Sequence, residues 1–383
     1  MAGIAEFLKK RESEGLLRRL SRIEYRKSGR IRVGGKEYLD LSSNDYLGLS
    51  GHPVLIEAAK AALDEFGTGT SGSRLLSGSL AIHHKLEEAL ARFKNKEAAL
   101  VFNSGYQANV GILSSLYSEG DVIFSDKLNH ASIIDGMTLS GAKVIRFLHN
   151  DTEHLESLLK RHRQNFKRAL IITETIFSMD GDRPPLKILT DLKKRYDCSL
   201  MVDEAHATGI YGKTGSGVVE EEGLSGEVDL IMGTFSKGLG SFGAYIAASK
   251  EIVDYLINTC RSFIYSTSLP PATIAANLAS LELVRSEPGR REKLLSLAEY
   301  FRVLLEEAGF NIRGSSQIVP VIIGDNIRTV KLAKILQEKG YWVLPIRPPT
   351  VPANQARLRF SLTFNLEKDI LQNIVDDISN VKI

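Results

Sequence analysis

Apolar residues fall along this chain in short, nearly continuous runs separated by stretches of helical spacing. The runs lie at 97–102, 121–125, 142–147, 168–174, 198–203, 228–234 and 243–248. Runs of that length read as strands buried on both faces. Between them, 105–118, 151–163 and 186–196 carry the apolar period of helices. The alternation predicts an α/β fold: a mostly parallel sheet covered by helices, with ligands bound beyond the carboxyl ends of the strands.

The flanks have a different texture. Residues 2–21 are helical in period through Ile4, Phe7, Leu8, Leu16, Leu17 and Leu20, and Ile31 to Leu41 reads as a hairpin turning at Gly34-Gly35. Pro53 opens a helix reaching Phe66. Residues 80–93 form an amphipathic helix whose adjacent His83 and His84 lack a metal-binding spacing. The Gly/Ser/Thr-rich stretch between these helices carries Arg74 and reads as a ligand-facing loop. After Pro270-Pro271 a long helical region, broken near Pro288-Gly289, runs to about Gly309. Strands near 310–323, 341–346 and 356–361 then alternate with helices at 327–339 and 366–379. Three parts are expected: an N-terminal helix and hairpin (1–50) packing with the small domain, a large cofactor-binding domain (51–270) and a small α+β domain (271–383).

Composition narrows the function classes. The 383 residues are 43% hydrophobic and 25% charged, which suits a globular chain with a large core. A net charge of +3 is too balanced to suggest nucleic acid, and the basic cluster from Lys9 to Lys27 is interspersed with acids, as on a solvated face. Cys198 and Cys260 fit neither a disulfide framework nor a metal site. No apolar run approaches the roughly 20 residues of a membrane span, and no signal-peptide pattern opens the chain. A cytoplasmic location without nucleic-acid, membrane or metal partners is the expectation.

The chemistry concentrates around Lys237, in the stretch GTFSKGLGSFG that follows an apolar strand. Most lysines are solvated surface charges. One at a strand end, among glycines and hydroxyls, suits a Schiff-base amine, and the glycines are expected to allow close approach to whatever it holds. About 30 residues upstream, another apolar strand ends in Asp203, with His206 three residues on. Strand-Asp-x-x-His followed by strand-Ser-Lys-Gly suggests a pyridoxal phosphate (PLP) site, with Asp203 as partner of the pyridinium nitrogen. Asn103-Ser104-Gly105-Tyr106-Gln107 opens a helix whose amides can meet an anion, and Thr234 and Ser236 add hydroxyls. His130 opens another helix, either capping it or stacking on a ring. Glu174 and Ser178 lie in a segment that reads equally as a turn, and Asn44 in a polar loop that could orient a carboxylate. Arg357 and Arg359 alternate along a strand, so both face one side; they form a surface pair, or one points into a cleft and grips a carboxylate.

Read in order from residue 42 to 360, SSNDYLG, SGS, NSGYQAN, LNHASIIDG, FSMDGD, VDEAHATG, GTFSKG, YSTSLPP and ARLRF resemble the α-oxoamine synthase family of fold-type-I PLP enzymes. The resemblance implies that Lys237 holds the cofactor and acts as base at the substrate α-carbon. It implies Asp203 at the ring nitrogen, His130 stacked on the ring, and Gly105, Tyr106 and Thr234 holding the cofactor or its phosphate. Ser178 and His206 would contact the cofactor near its ring oxygen, and Arg359 would hold the amino-acid carboxylate. Asn44, Ser266 and Thr267 would come from the partner subunit of a homodimer, and Arg18 and Thr350 would contact the acyl substrate. The reaction implied is decarboxylative condensation of L-alanine with a pimeloyl thioester, carried on CoA or acyl-carrier protein, in biotin biosynthesis. Pro184-Pro185-Leu186 after FSMDGD and the run Ile346 to Pro352 favour that member. The alternatives are condensation of glycine with acetyl-CoA and a non-catalytic subunit of the same fold, against which Lys237 and Asp203 argue. A nicotinamide-dependent oxidoreductase ranks last, for want of a G-x-G-x-x-G opening a βαβ unit.

Overall fold

A computed structural model describes residues 3–381. Each of the seven apolar runs is a strand of one sheet. Its order is Ala98–Phe102, Ala244–Ala248, Leu230–Thr234, Ser199–Asp203, Ala169–Glu174, Val122–Asp126 and Lys143–Phe147. Ala244–Ala248 is antiparallel to both its neighbours, and the other pairings are parallel. All six residues of Ala169–Glu174 are buried, which is why that run shows no alternation. Leu170, Ile172, Met201, Ile123 and Ile246 pack there with Ile112 and Ile133 from the covering helices. Burying each such side chain stabilises the fold by about 1.5–3 kcal/mol.

Register places the polar strand ends together. Glu174 pairs with Asp203, and Asp203 with Met232. At the antiparallel strand, Ala244 pairs with both Thr234 and Phe102, which brings the turn into helix Gly105–Leu116 to the same edge. Helix Ala131–Ser140 crosses Gly105–Leu116 at Gly136, where an added Cβ would lie 2.8 Å from the Asn109 carbonyl oxygen. Glycine there lets the two helices approach.

The chain divides into two compact units. One comprises Leu49–Phe177 and Arg183–Arg291 and contains the seven-stranded sheet. The other comprises the chain up to Gly48, the excursion Ser178–Asp182 and the chain from Glu292 onward. In the latter, Ile318–Gly324, Ala356–Ser361 and Pro345–Ile346 form an antiparallel sheet. A second sheet adds Tyr341–Trp342, in parallel, to the hairpin Arg30–Val33 and Lys36–Asp40, with Tyr25–Lys27 at its edge.

Three segments depart from their sequence pattern. The expected helix over 2–21 spans only Ile4–Ser13, and none of its residues is buried. Its apolar period has no core to face, and a short helix without tertiary packing does not propagate. The apolar stretch 310–323 yields one strand, Ile318–Gly324, plus a single bridge between Ile312 and Val321. The stretch 341–346 splits between two sheets. Helix Lys250–Thr259 and strand Tyr25–Lys27 have no counterpart in the pattern reading.

Arg357, fully buried, pins the Ser178–Asp182 excursion. Its Nη1 donates to Asp180 Oδ1 at 2.6 Å and to the Met179 carbonyl at 3.3 Å. It is therefore a structural ion pair rather than a surface charge. Arg357→Ala is expected to lower stability by about 3 kcal/mol, the low end for a broken buried pair, because Asp180 keeps only the more exposed Arg313. Urea unfolding followed by fluorescence of Trp342, the sole tryptophan, checks this.

Candidate active site

Beyond the carboxyl ends of the strands lies a cavity of about 220 Å³ lined by thirteen residues, among them Gly105, Tyr106, His130, Asp203, His206, Thr234 and Lys237. These seven residues, from four separate motifs of the sequence, converge on one space. Asn109, Ser132, Glu174 and Ser236 join them.

Asp203 ends its strand and is only 5% exposed. Its Oδ1 accepts from the Ala205 amide at 2.8 Å and its Oδ2 from Asn109 Nδ2 at 2.9 Å. Asn109, on the helix that opens at Gly105, also donates from Nδ2 to Ser132 Oγ at 2.9 Å. Both hydrogens of that amide are then used. The Ser132 hydroxyl is left to donate to His130 Nδ1, 2.8 Å away, where the Ser132 amide also donates at 3.2 Å. Nδ1 is thereby an acceptor, and the neutral His130 ring carries its proton on Nε2. The ring keeps a solvent-facing side, yet enough protein surrounds it that burial pulls its pKa down, with Asp203 opposing and Lys237 assisting.

Glu174 is buried at the end of the adjacent strand, and its Oε1 accepts from the His130 amide at 2.6 Å. Burial, and next the neighbouring Asp203, push its carboxyl up to about 8. Lys237 is half-buried, its Nζ 2.9 Å from His206 Nε2. An ammonium only donates, so Nε2 accepts. Thr234 Oγ1 accepts from the Ser236 amide at 3.1 Å and donates to the Gly243 carbonyl at 2.7 Å, which shapes the turn before Lys237. The glycine beside the lysine has a different use from the expected one. A Cβ on Gly238 would lie 2.6 Å from the Thr208 carbonyl oxygen, so the close approach is to the chain's own backbone.

Other expected residues lie elsewhere. Ser266 and Thr267 line a separate crevice with Arg74, His83 and Asn103. Ser266 Oγ accepts from Gln107 Nε2 at 2.6 Å, and the Thr267 carbonyl from Asn103 Nδ2 at 2.9 Å. Ser178, Asn44 and Arg359 belong to the other unit and meet there. Arg359, 7% exposed, donates from Nε to the Ser178 carbonyl and from Nη1 to Ser361 Oγ, both at 2.5 Å. Both its terminal nitrogens lie 3.4 Å from Asn44 Oδ1. In the same unit Arg18 Nη2 donates to Thr350 Oγ1 at 2.8 Å. Asn109 is the residue that the reading of single positions passed over, although it closes the motif NSGYQAN; four residues after Gly105 on a helix, it shares a face with the helix start.

Among the described residues no group of His, Cys, Asp and Glu could hold a metal, and no helix is long and apolar enough to cross a membrane. The cavity instead combines a buried carboxylate, an amine, two imidazoles, hydroxyls and a helix start.

The profile of aminotransferase class I and II matches residues 36–378. The chain belongs to that family. The chain is similar to 8-amino-7-oxononanoate synthase of Geotalea daltonii, 48% identical over 100% of this chain and 98% of that protein. The 8-amino-7-oxononanoate synthase of Francisella tularensis superposes with a TM-score of 0.78 at 31% identity, covering 89% of this chain and 97% of that one. A variant serine palmitoyltransferase from S. paucimobilis, solved with a bound PLP–myriocin aldimine, superposes with a TM-score of 0.93 at 32% identity, covering 99% and 96%. The two structures share the α/β fold expected from the apolar runs.

The raised Glu174 carboxyl makes stability depend on pH. Its value rises from an ordinary 4.5 to about 8 in the folded chain, so the folded state binds the extra proton between those limits. That contribution is complete below the lower limit and is lost as pH rises through the upper one. In the cofactor-free chain, Glu174→Gln is expected to keep the His130 contact and to flatten the fall in urea midpoint between about pH 5 and pH 8. An unchanged slope would refute the assignment.

Proposed function

We propose that this chain is a PLP-dependent acyltransferase that condenses L-alanine with a pimeloyl thioester, giving 8-amino-7-oxononanoate, CO₂ and the free thiol. The observation that carries the reading is the convergence of Lys237, His206, Asp203 and His130 on one cavity. The similarity to proteins named 8-amino-7-oxononanoate synthase along the full chain supports the choice of reaction.

The donor set fits PLP. Asp203 is a buried acceptor for a protonated ring nitrogen, and charge-assisted hydrogen bonds of that kind are strong. Asn109 Oδ1 is buried with no partner among the described residues, a polar atom left over at the cavity wall. The amides of Gly105 and Tyr106, at a helix start capped by Ser104, suit a phosphate, and the Thr234 and Ser236 hydroxyls can add to them. When bound, PLP supplies an electron sink that stabilises negative charge at a substrate α-carbon.

The chain's own residues do the rest. Lys237 Nζ would hold the cofactor, and its amine would serve as the base that removes and returns the proton at the substrate α-carbon. His206 Nε2 holds that amine in place by accepting from it. His130 presents a neutral ring with its proton on Nε2, able to stack and to donate. Asp203 keeps the ring nitrogen protonated. Arg359 binds the amino-acid carboxylate, held by Ser178 and Asn44, while Arg18 and Thr350 meet the acyl chain. The thioester is carried on CoA or acyl-carrier protein, and the subunits pair as homodimers in which Ser266 and Thr267 serve the partner's site.

Thiol release by the PLP-loaded chain tests the reading. Release is expected with L-alanine and pimeloyl-CoA, and a loss of at least about 10³-fold in Lys237→Ala, which lacks both the attachment point and the base. Release with glycine and acetyl-CoA alone would overturn the substrate assignment. No release and no Lys237-dependent visible absorbance would overturn the cofactor assignment.

A further inference from the structure

Behind the cavity wall lies a fully buried ion pair that none of the proposed steps uses. Lys94, the last residue of helix Ala81–Lys94, is 1% exposed, and Glu204 is 0% exposed. Their Nζ and Oε2 are 2.7 Å apart. Neither lines the cavity, yet Glu204 directly follows Asp203 and stands two residues before His206.

The pair sits at the centre of a closed network. Lys94 Nζ also donates to Thr208 Oγ1 at 3.2 Å and to the Ser216 carbonyl. Glu204 Oε1 accepts from the Val219 amide at 2.9 Å. Thr208 Oγ1 lies 2.9 Å from the Tyr245 hydroxyl, on the antiparallel strand of the sheet. The Glu204 carbonyl accepts from the Ala207 and Thr208 amides, both at 2.9 Å, closing the turn on which His206 rides. Burial alone would pull the Lys94 amine down, but the Glu204 carboxylate more than restores it.

Burying two charges costs several kcal/mol per ion before their attraction is counted, and well-packed apolar residues would often serve stability as well or better. What an apolar pair cannot supply is direction. Besides the bond between them, the Lys94 and Glu204 side chains bond Thr208 in the turn and Ser216 and Val219 beyond it, which ties the turn to two other places in the fold. We propose that Lys94 and Glu204 are positioning residues, which fix the Asp203–Thr208 turn so that His206 Nε2 meets Lys237 Nζ. The functional meaning rests on reading Lys237 as the cofactor-binding amine; the mechanical claim concerns the Lys237–His206 contact itself.

The test uses the full-length, cofactor-free chain and measures amine labelling of Lys237 against pH, read by peptide mass spectrometry. The variant Lys94→Met with Glu204→Leu removes both charges while keeping bulk, and is expected to retain a near-native urea midpoint. With His206 no longer held, the Lys237 ammonium loses an acceptor. Its labelling midpoint is expected to fall by about one pH unit, a roughly 10-fold faster labelling near neutral pH. A natively stable double variant whose midpoint stays within about 0.2 unit of the parent would overturn the proposal and leave the pair a purely structural one. If that variant does not fold, Thr208→Val removes the hydroxyl bound to Lys94 and Tyr245 at nearly constant volume. A fall in midpoint supports the proposal, and an unchanged midpoint overturns it. Uptake of PLP by the unaltered chain, read as visible absorbance, tests the cofactor reading separately from these outcomes.

Discussion

The site depends on how one buried carboxylate is satisfied. Asp203 and Glu174 end adjacent parallel strands in register, so two carboxyls face each other's charge in a low-dielectric setting. Two like charges so placed favour protonation of one. Asp203 accepts from the Asn109 amide group and the Ala205 N–H, and Glu174 accepts from the His130 N–H. Burial, and next the neighbouring Asp203, raise the Glu174 carboxyl to about 8. Through its second hydrogen, Asn109 passes the same constraint to Ser132 and on to the His130 tautomer. One carboxamide therefore links Asp203 to the orientation of the His130 ring.

That chain of contacts exists because of the sheet. Parallel strands put all their carboxyl ends at one edge, and ligand sites in such folds gather there. The single antiparallel strand, Ala244–Ala248, draws the Thr234 turn and the Phe102–Gly105 turn toward each other. Helix crossing at Gly136 then brings Ser132 within reach of Asn109. Register and one missing Cβ thus do what no local motif could do alone.

Much of this was legible in sequence, and the reasons are particular. The seven strands could be read because double-sided burial leaves continuous apolar runs. Lys237, Asp203, His206 and His130 stood out because polar residues at the ends of such runs have no place in the core. Asn109 did not, since an asparagine within a helix resembles any polar helix residue until its neighbour across the crossing is known. The Lys94–Glu204 pair was hidden for the opposite reason: charged residues at a helix end and in a turn are ordinarily solvated, and only the fold makes them fully buried. The N-terminal helix was over-read from 14 onward because apolar period reports capacity to bury a face, not the presence of a face to bury it against.

Each unit organises its own charges. Lys237 is held by His206 within the unit of the large sheet, and His206 by a turn that Lys94 and Glu204 anchor. Arg359 is held by Ser178, Ser361 and Asn44 within the other, with Arg357 and Asp180 fixing the excursion that carries Ser178. Groups held by their own unit pay little reorganisation when a substrate arrives, which is the condition for electrostatic stabilisation in catalysis. The contacts of Lys237 and His206 and those of Arg359 can therefore each be altered by substitution with the other set left intact.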